Sequence, residues 1–126
     1  MILDTNGVSA MADGSPRLDI LLRKAPALAI PVIVLRRIYR YGIAQSRYRR
    51  RYEEWLESLL IHCRVLRVDE GTATEYATIR GEVKRAGTPI PANDAWIAAL
   101  ARQYAMPVIS RDEHFDSVPK LQRLSW

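Results

Sequence analysis

Met1-Ile2-Leu3-Asp4-Thr5-Asn6 opens on apolar residues and breaks at Asp4 into a polar turn, and Met106-Pro107-Val108-Ile109-Ser110-Arg111-Asp112 repeats the pattern near the other end. Each short apolar run lacks period-two alternation and leads into a segment able to form helix, which is how strands buried on both faces of a parallel sheet read. Working outward, residues 27–30 after Pro26, and 64–68 with Val65, Leu66 and Val68, are predicted as further strands, with 121–124 as an edge. Helices are predicted over 16–24, 32–44, 47–61, 72–86 and 91–104. In the fourth, Ala73, Tyr76, Ala77, Ile79 and Val83 follow helical spacing, and Gly87 and Pro89 end it. Strands alternating with helices imply an α/β domain with a mainly parallel central sheet flanked by helices. No repeat, low-complexity segment or linker interrupts the chain, so residues 1–126 are expected to form a single domain.

Composition sets bounds on function. The 126 residues are 48% apolar and 26% charged, an ordinary globular balance rather than a disordered or fibrous one. Cys63 is the sole cysteine, which excludes an intramolecular disulfide and a thiol-rich metal site, and it reads as a small apolar residue. Apolar stretches fall far short of the roughly 20 residues that cross a bilayer, so no membrane role is expected. No basic and apolar leader precedes Asp4, and a cytoplasmic location is the expectation. The net charge of +5 favours a polyanionic partner. Its distribution is uneven: from Ile20 to Tyr52 there is no acid, while Arg36, Arg37, Arg40, Arg47 and the run Arg49-Arg50-Arg51 fall there.

Three aspartates, Asp4, Asp94 and Asp112, each sit where an apolar run meets a polar turn. Judged alone, Asp4 fits a helix cap, Asp94 first-turn helix charge and Asp112 a turn initiator. Together they point elsewhere. In an open parallel sheet ligands bind beyond the carboxyl ends of the strands, where Asp4 and Asp112 both project, and Asp94 opens the helix led by Pro91 and Asn93. Three converging carboxylates repel one another unless a cation binds or their pKa values rise. Magnesium or manganese suits such oxygen donors and equips a site for phosphodiester hydrolysis.

Leu3-Asp4-Thr5-Asn6, Asn93-Asp94-Ala95-Trp96-Ile97-Ala98-Ala99 and Ser110-Arg111-Asp112-Glu113-His114-Phe115-Asp116-Ser117-Val118 resemble the first, third and fourth motifs of PIN-domain ribonucleases, and most nearly those of VapC toxins from bacterial toxin–antitoxin modules. Arg40-Tyr41-Gly42-Ile43, Tyr52-Glu53-Glu54-Trp55-Leu56, Tyr76-Ala77-Thr78-Ile79-Arg80 and Gly87-Thr88-Pro89-Ile90-Pro91 match intervening features, so the resemblance covers nearly the whole chain. It implies a single PIN-like domain, a Mg²⁺- or Mn²⁺-dependent endoribonuclease acting on RNA, homodimerisation, and neutralisation by a cognate VapB-like antitoxin. On the matching positions it makes Asp4, Asp94 and Asp112 the catalytic, metal-coordinating acids, Asp116 an accessory carboxylate, and Thr5, Asn6, Ser9, Asn93 and Ser110 groups that orient ligands or water.

The second family motif, an apolar start followed by Gly-Glu, a short spacer and Tyr-Gly, is broken. Leu35-Arg36-Arg37-Ile38-Tyr39 supplies no acid. Counting forward from Pro31 puts the expected glutamate at Arg37; counting back from Tyr41-Gly42 puts it at Ile38. A guanidinium among three carboxylates is an internal counter-ion without Lewis acidity, so metal binding and activity are expected to be impaired.

Arg40, Arg47, Arg49, Arg50 and Arg51, interleaved with Tyr41, Tyr48 and Tyr52, are candidates for holding phosphates and unpaired bases of RNA, though the same run also fits a solvated helix face. Trp55, Leu56, Leu59 and Leu60 read as core or dimer face and Trp96, Ile97 and Leu100 as structural; His62 reads as ordinary, and His114, close to Asp112, fits a minor proton-transfer or substrate-contact group but is assigned no role. The rival to a nuclease is a non-catalytic RNA- or antitoxin-binding module on the same fold. A weaker third reading is a phosphatase-like hydrolase.

Overall fold

The computed structural model describes all residues, Met1–Trp126. Five strands form one sheet: β1 (Ile2–Leu3), β2 (Leu28–Pro31), β3 (Cys63–Leu66), β4 (Val108–Ile109) and β5 (Arg123–Leu124). Their order is β3-β2-β1-β4-β5 and every pairing is parallel. From β1 the chain builds outward through β2 and β3, then returns to the other side of β1 for β4 and β5. The direction of winding therefore reverses between β1 and β4, the place where open α/β sheets form their ligand crevice. Ile2 pairs with Val108 and Leu3 with Ile109, so Asp4 and Ser110 emerge side by side.

Six α-helices surround the sheet: α1 (Thr5–Ala12), α2 (Pro16–Leu22), α3 (Val32–Arg37), α4 (Arg49–Ile61), α5 (Glu70–Arg85) and α6 (Ala92–Gln103). α6 is the most deeply set; Ala95, Ile97, Ala98, Ala99, Leu100 and Ala101 are all buried. Its alanines let neighbours approach closely, and truncating Ile97 or Leu100 would cost about 2–5 kcal/mol through lost packing and a cavity. α5 holds to α6 through Arg102, whose guanidinium meets Glu75 at 3.1 Å and Glu82 at 2.6 Å, and through the stacked rings of Tyr76 and Trp96. The mostly parallel α/β architecture is as read from the sequence, and residues 121–124 do contribute the edge strand. No helix is long and apolar enough to cross a membrane.

Two elements refine the expectation. α1 gives definite bounds to a segment the sequence marked only as able to form helix behind an Asp4 cap. Asp4 Oδ1 accepts the Thr5 N–H at 2.6 Å to start it, and Gly7 lets it lie against the sheet. A Cβ at Gly7 would stand 3.2 Å from the Ile109 carbonyl and from Leu3 Cδ2, so only glycine permits this approach without displacement. The second difference falls in 32–44, where α3 ends at Arg37 and a π-helical turn, Ile38–Ile43, follows. The wider turn keeps Ile38 and Ile43 buried while Tyr39, Arg40 and Tyr41 face outward. Such turns concentrate near functional sites, and this one adjoins the acidic crevice.

Candidate metal centre and nucleic-acid interface

Asp4 leaves β1 buried, with 3% of its surface exposed, and every contact it makes fixes its carboxylate. Oδ1 accepts from the Thr5 amide, while Oδ2 accepts from Ser110 Oγ at 2.9 Å and Asn6 Nδ2 at 3.2 Å. Ser110 Oγ accepts in turn from Asn6 Nδ2 at 3.1 Å and from the Asp112 amide at 2.9 Å. The hydroxyl thereby uses its one donor and both acceptor directions. Asn6 Oδ1 accepts the Arg111 amide at 3.1 Å and ties the start of α1 to the loop after β4. Three residues named from the sequence as orienting groups are thus a single network; a fourth, Ser9, lines the cavity beside it.

Asp94 lies in the first turn of α6 and Asp112 caps the short 3₁₀ helix Glu113–Ser117. His114 joins them: Nδ1 stands 2.9 Å from Asp94 Oδ2 and 2.9 Å from Asp112 Oδ1. Only a protonated Nδ1 can serve two carboxylates, and these contacts, led by the hydrogen bond to Asp94, raise the His114 pKa. In the sequence His114 stands out only by its nearness to Asp112, with no sign of the contact to Asp94. It is two positions past Asp112, and only the 3₁₀ turn swings it back over Asp94.

A cavity of about 430 Å³ opens on this network and is bounded by Asp4, Asp94 and Asp112 together with Thr5, Asn6 and Arg37. Burial raises the pKa of Asp4 against the opposing pull of the Thr5 and Ser110 hydrogen bonds and the Arg37 charge; Asp112 raises it further. Asp94 is likewise raised, first by burial, with Asp112 and Asp4 adding to it and His114 opposing. Mutual repulsion of this kind is what a divalent cation relieves. Carboxylate oxygens of Asp94 and Asp112 lie within 4.8 Å of each other around the protonated Nδ1 of His114, and Thr5 Oγ1 is buried without a hydrogen-bond partner. The oxygen-rich donor set fits a hard divalent ion that retains water.

Other sequence expectations fare unequally. Asp116 does not reach the cavity. Arg123 engages both its oxygens at 2.8 and 2.7 Å, and that pairing holds its carboxyl below the usual range. Asn93 is half-buried beside Asp94 but is not among the groups lining the cavity. The broken motif resolves clearly: Ile38 is core, Arg36 points to solvent, and Arg37 lines the acidic cavity. Among the basic candidates, Arg49 and Arg50 pair along α4 with Glu53 and Glu54 at 3.1 and 3.5 Å, which fits a solvated face. Arg40 lies over the Tyr41 ring, and Arg51 borders an aromatic slot with Tyr48, Tyr52 and Trp55; neither lines the acidic cavity. Arg47 is exposed just ahead of α4.

Comparison with known proteins agrees with this geometry. The family model described as PIN domain matches residues 1–121. The chain is 30% identical to Ribonuclease VapC2 of Haemophilus influenzae, over 99% of this chain and 96% of that protein. It is 27% identical to Ribonuclease VapC4 of Mycobacterium tuberculosis, over 92% and 73%. Among solved structures, VapBC2 from Rickettsia felis bound to a promoter DNA fragment superposes with a TM-score of 0.86 at 24% identity, covering 99% of this chain and 97% of that one. FitAcB from Neisseria gonorrhoeae gives 0.83 at 28% identity, with 98% and 95% covered.

Proposed function

The chain belongs to the PIN-domain family, and from that premise we propose that it is a VapC-type toxin, a metal-dependent endoribonuclease that hydrolyses RNA phosphodiester bonds. The observation that carries the reading is the convergence of Asp4, Asp94 and Asp112 on one cavity at the sheet's switch point. These three would hold magnesium or manganese. When bound, such an ion polarises the scissile phosphoryl group and lowers the pKa of the attacking water. The chain's own groups set the stage for that reaction. Ser110 and Asn6 fix the Asp4 carboxylate, so that it spends no reorganisation on meeting its ligand. His114 holds a proton at Nδ1 between Asp94 and Asp112 and keeps their oxygens facing one point. Thr5, whose Oγ1 is buried without a hydrogen-bond partner, stands in the same wall. Partnership with a VapB-like antitoxin, homodimerisation and a cytoplasmic setting complete the reading.

Arg37 favours a second reading, in which the same fold binds RNA or antitoxin with catalysis attenuated, because its fixed positive charge competes with a cation for Asp4. The two separate in one assay. Incubated with labelled structured RNA and Mn²⁺, a nuclease yields defined fragments, and EDTA or Asp112→Asn stops cleavage. Retention of intact RNA by the protein under the same conditions would select the binding module.

A further inference from the structure

Arg111 stands between two residues already placed in the acidic site, Ser110 and Asp112, and it lines the same cavity as Asp4, Asp94 and Asp112. Both its backbone and its side chain are held. The amide donates to Asn6 Oδ1 at 3.1 Å, and the guanidinium lies over the Trp126 ring, with Cζ 4.7 Å from the ring centroid. Sheet register brings these two residues together. Val108 pairs with Arg123 and Ile109 with Leu124 in parallel, and the Ser110 N–H donates to the Leu124 carbonyl at 3.0 Å, so that two residues further on Arg111 and Trp126 come abreast. Trp126 is half-buried and packs against the core, which makes it a firm base for the cation.

What this guanidinium lacks is a carboxylate. Arg123 is taken up by Asp116, Arg49 and Arg50 by Glu53 and Glu54, and Arg102 by Glu75 and Glu82. Arg111 forms no ion pair, although Asp4, Asp94 and Asp112 share its cavity. Arg37 differs in this respect, since its charge favours the ionised form of Asp4; no such effect of Arg111 reaches Asp4 or Asp94. An aromatic ring attracts a guanidinium without engaging its N–H groups as a carboxylate does, so the donors of Arg111 stay free while its position is restrained. Those donors form the planar fork that fits two oxygens of a phosphate. A phosphodiester approaching three carboxylates is repelled, and a cation not already committed to them offsets that repulsion. We propose that Arg111 is a substrate-contacting residue whose guanidinium grips the non-bridging oxygens of the RNA phosphate admitted to the acidic cavity, with Trp126 as the positioning residue that aims it. The inference rests on the nuclease reading and extends the site to the residue abreast of Arg111 beyond β5. Two arginines on one cavity thereby have opposite effects: Arg37 competes with the cation, and Arg111 draws in the anion.

The test measures binding of a short, labelled, unstructured oligoribonucleotide to the full chain in EDTA, where it is held uncut, across a series of salt concentrations. Arg111→Ala should weaken binding roughly tenfold and reduce the slope of log affinity against log salt by about 0.7, the share of one phosphate contact on a single strand. Arg111→Lys should keep the slope and recover only part of the affinity, because an ammonium carries the charge without the fork. Trp126→Leu should weaken binding at unchanged slope, and Trp126→Phe should recover it. A thermal midpoint lowered by Trp126→Leu with RNA affinity intact would make Trp126 merely structural and overturn its positioning role. Unchanged affinity and slope in Arg111→Ala, with RNA still bound, would overturn the phosphate contact and leave the nuclease reading standing. A gain in Mn²⁺ affinity on Arg111→Ala as large as on Arg37→Ala, read by calorimetry, would make Arg111 a second counter-ion and overturn the contact as well. Failure of the parent chain both to bind and to cleave RNA would count against the nuclease reading itself.

Discussion

The guanidinium of Arg37 lines the same cavity as Asp4, Asp94 and Asp112, and its charge favours the ionised form of Asp4. It serves the metal-free protein by easing carboxylate repulsion, and it opposes an incoming cation for the same reason. Replacing it with Arg37→Glu exchanges a positive for a negative charge at the cavity wall. Calorimetry should then show Mn²⁺ bound roughly 10–100-fold more tightly than by the parent, with Arg37→Ala between the two. Equal affinity in all three would mean that Arg37 has no hold on the site. From the sequence alone, the frame of this segment was ambiguous between Arg37 and Ile38, because counting forward from Pro31 and back from Tyr41-Gly42 gives different positions. The π-helical turn after Arg37 absorbs the extra residue and removes the ambiguity.

At the level of elements, the caps that aim the site are legible in the sequence to different degrees. Asp4, Asp94 and Asp112 were found because strand ends and helix starts have recognisable chemistry, and all three lie at such junctions. α1 was read only as a helix-capable segment behind the Asp4 cap, without bounds, and its close approach to the sheet through Gly7 against Ile109 is a tertiary contact that no local pattern encodes. The contact of His114 with Asp94 was not legible for a related reason: a 3₁₀ turn, rather than spacing, brings the ring over that carboxylate. α5 offers a clear stability test away from the site. Asp69 accepts the Thr72 amide at 3.0 Å and Gln103 Nε2 at 2.8 Å, and these bonds, the Thr72 amide first, hold its pKa below the ordinary value. A depressed folded-state pKa gives stability that is present above the unfolded-state pKa and lost as pH falls through the folded one. Asp69→Ala should therefore lower the thermal midpoint at neutral pH, and the gap from the parent should close below about pH 4. A gap that persists unchanged into acid would show that the carboxylate charge is not what stabilises this cap.

Across the whole molecule, sheet order turns sequence distance into contact. Asn6 and Ser110, more than a hundred residues apart, hydrogen-bond because β1 and β4 are neighbours with Leu3 opposite Ile109. The same arrangement sets the acidic crevice beside the π-helical turn and α4, within the stretch of chain that carries cations and no acids. A basic protein thus presents its one concentrated patch of carboxylates next to its most basic segment, a layout suited to a polyanion whose backbone must be held while a cation works on it. That layout, with Arg37 at the junction, is the core of the functional reading. Its most direct test is the rate at which the Arg37→Glu protein cleaves labelled RNA with Mn²⁺ and again with EDTA. Cleavage well above that of the parent, and abolished by EDTA, is expected. A rate that is indifferent to EDTA, or no cleavage although calorimetry shows Mn²⁺ bound, would contradict the assignment of Asp4, Asp94 and Asp112 as a metal-dependent nuclease site.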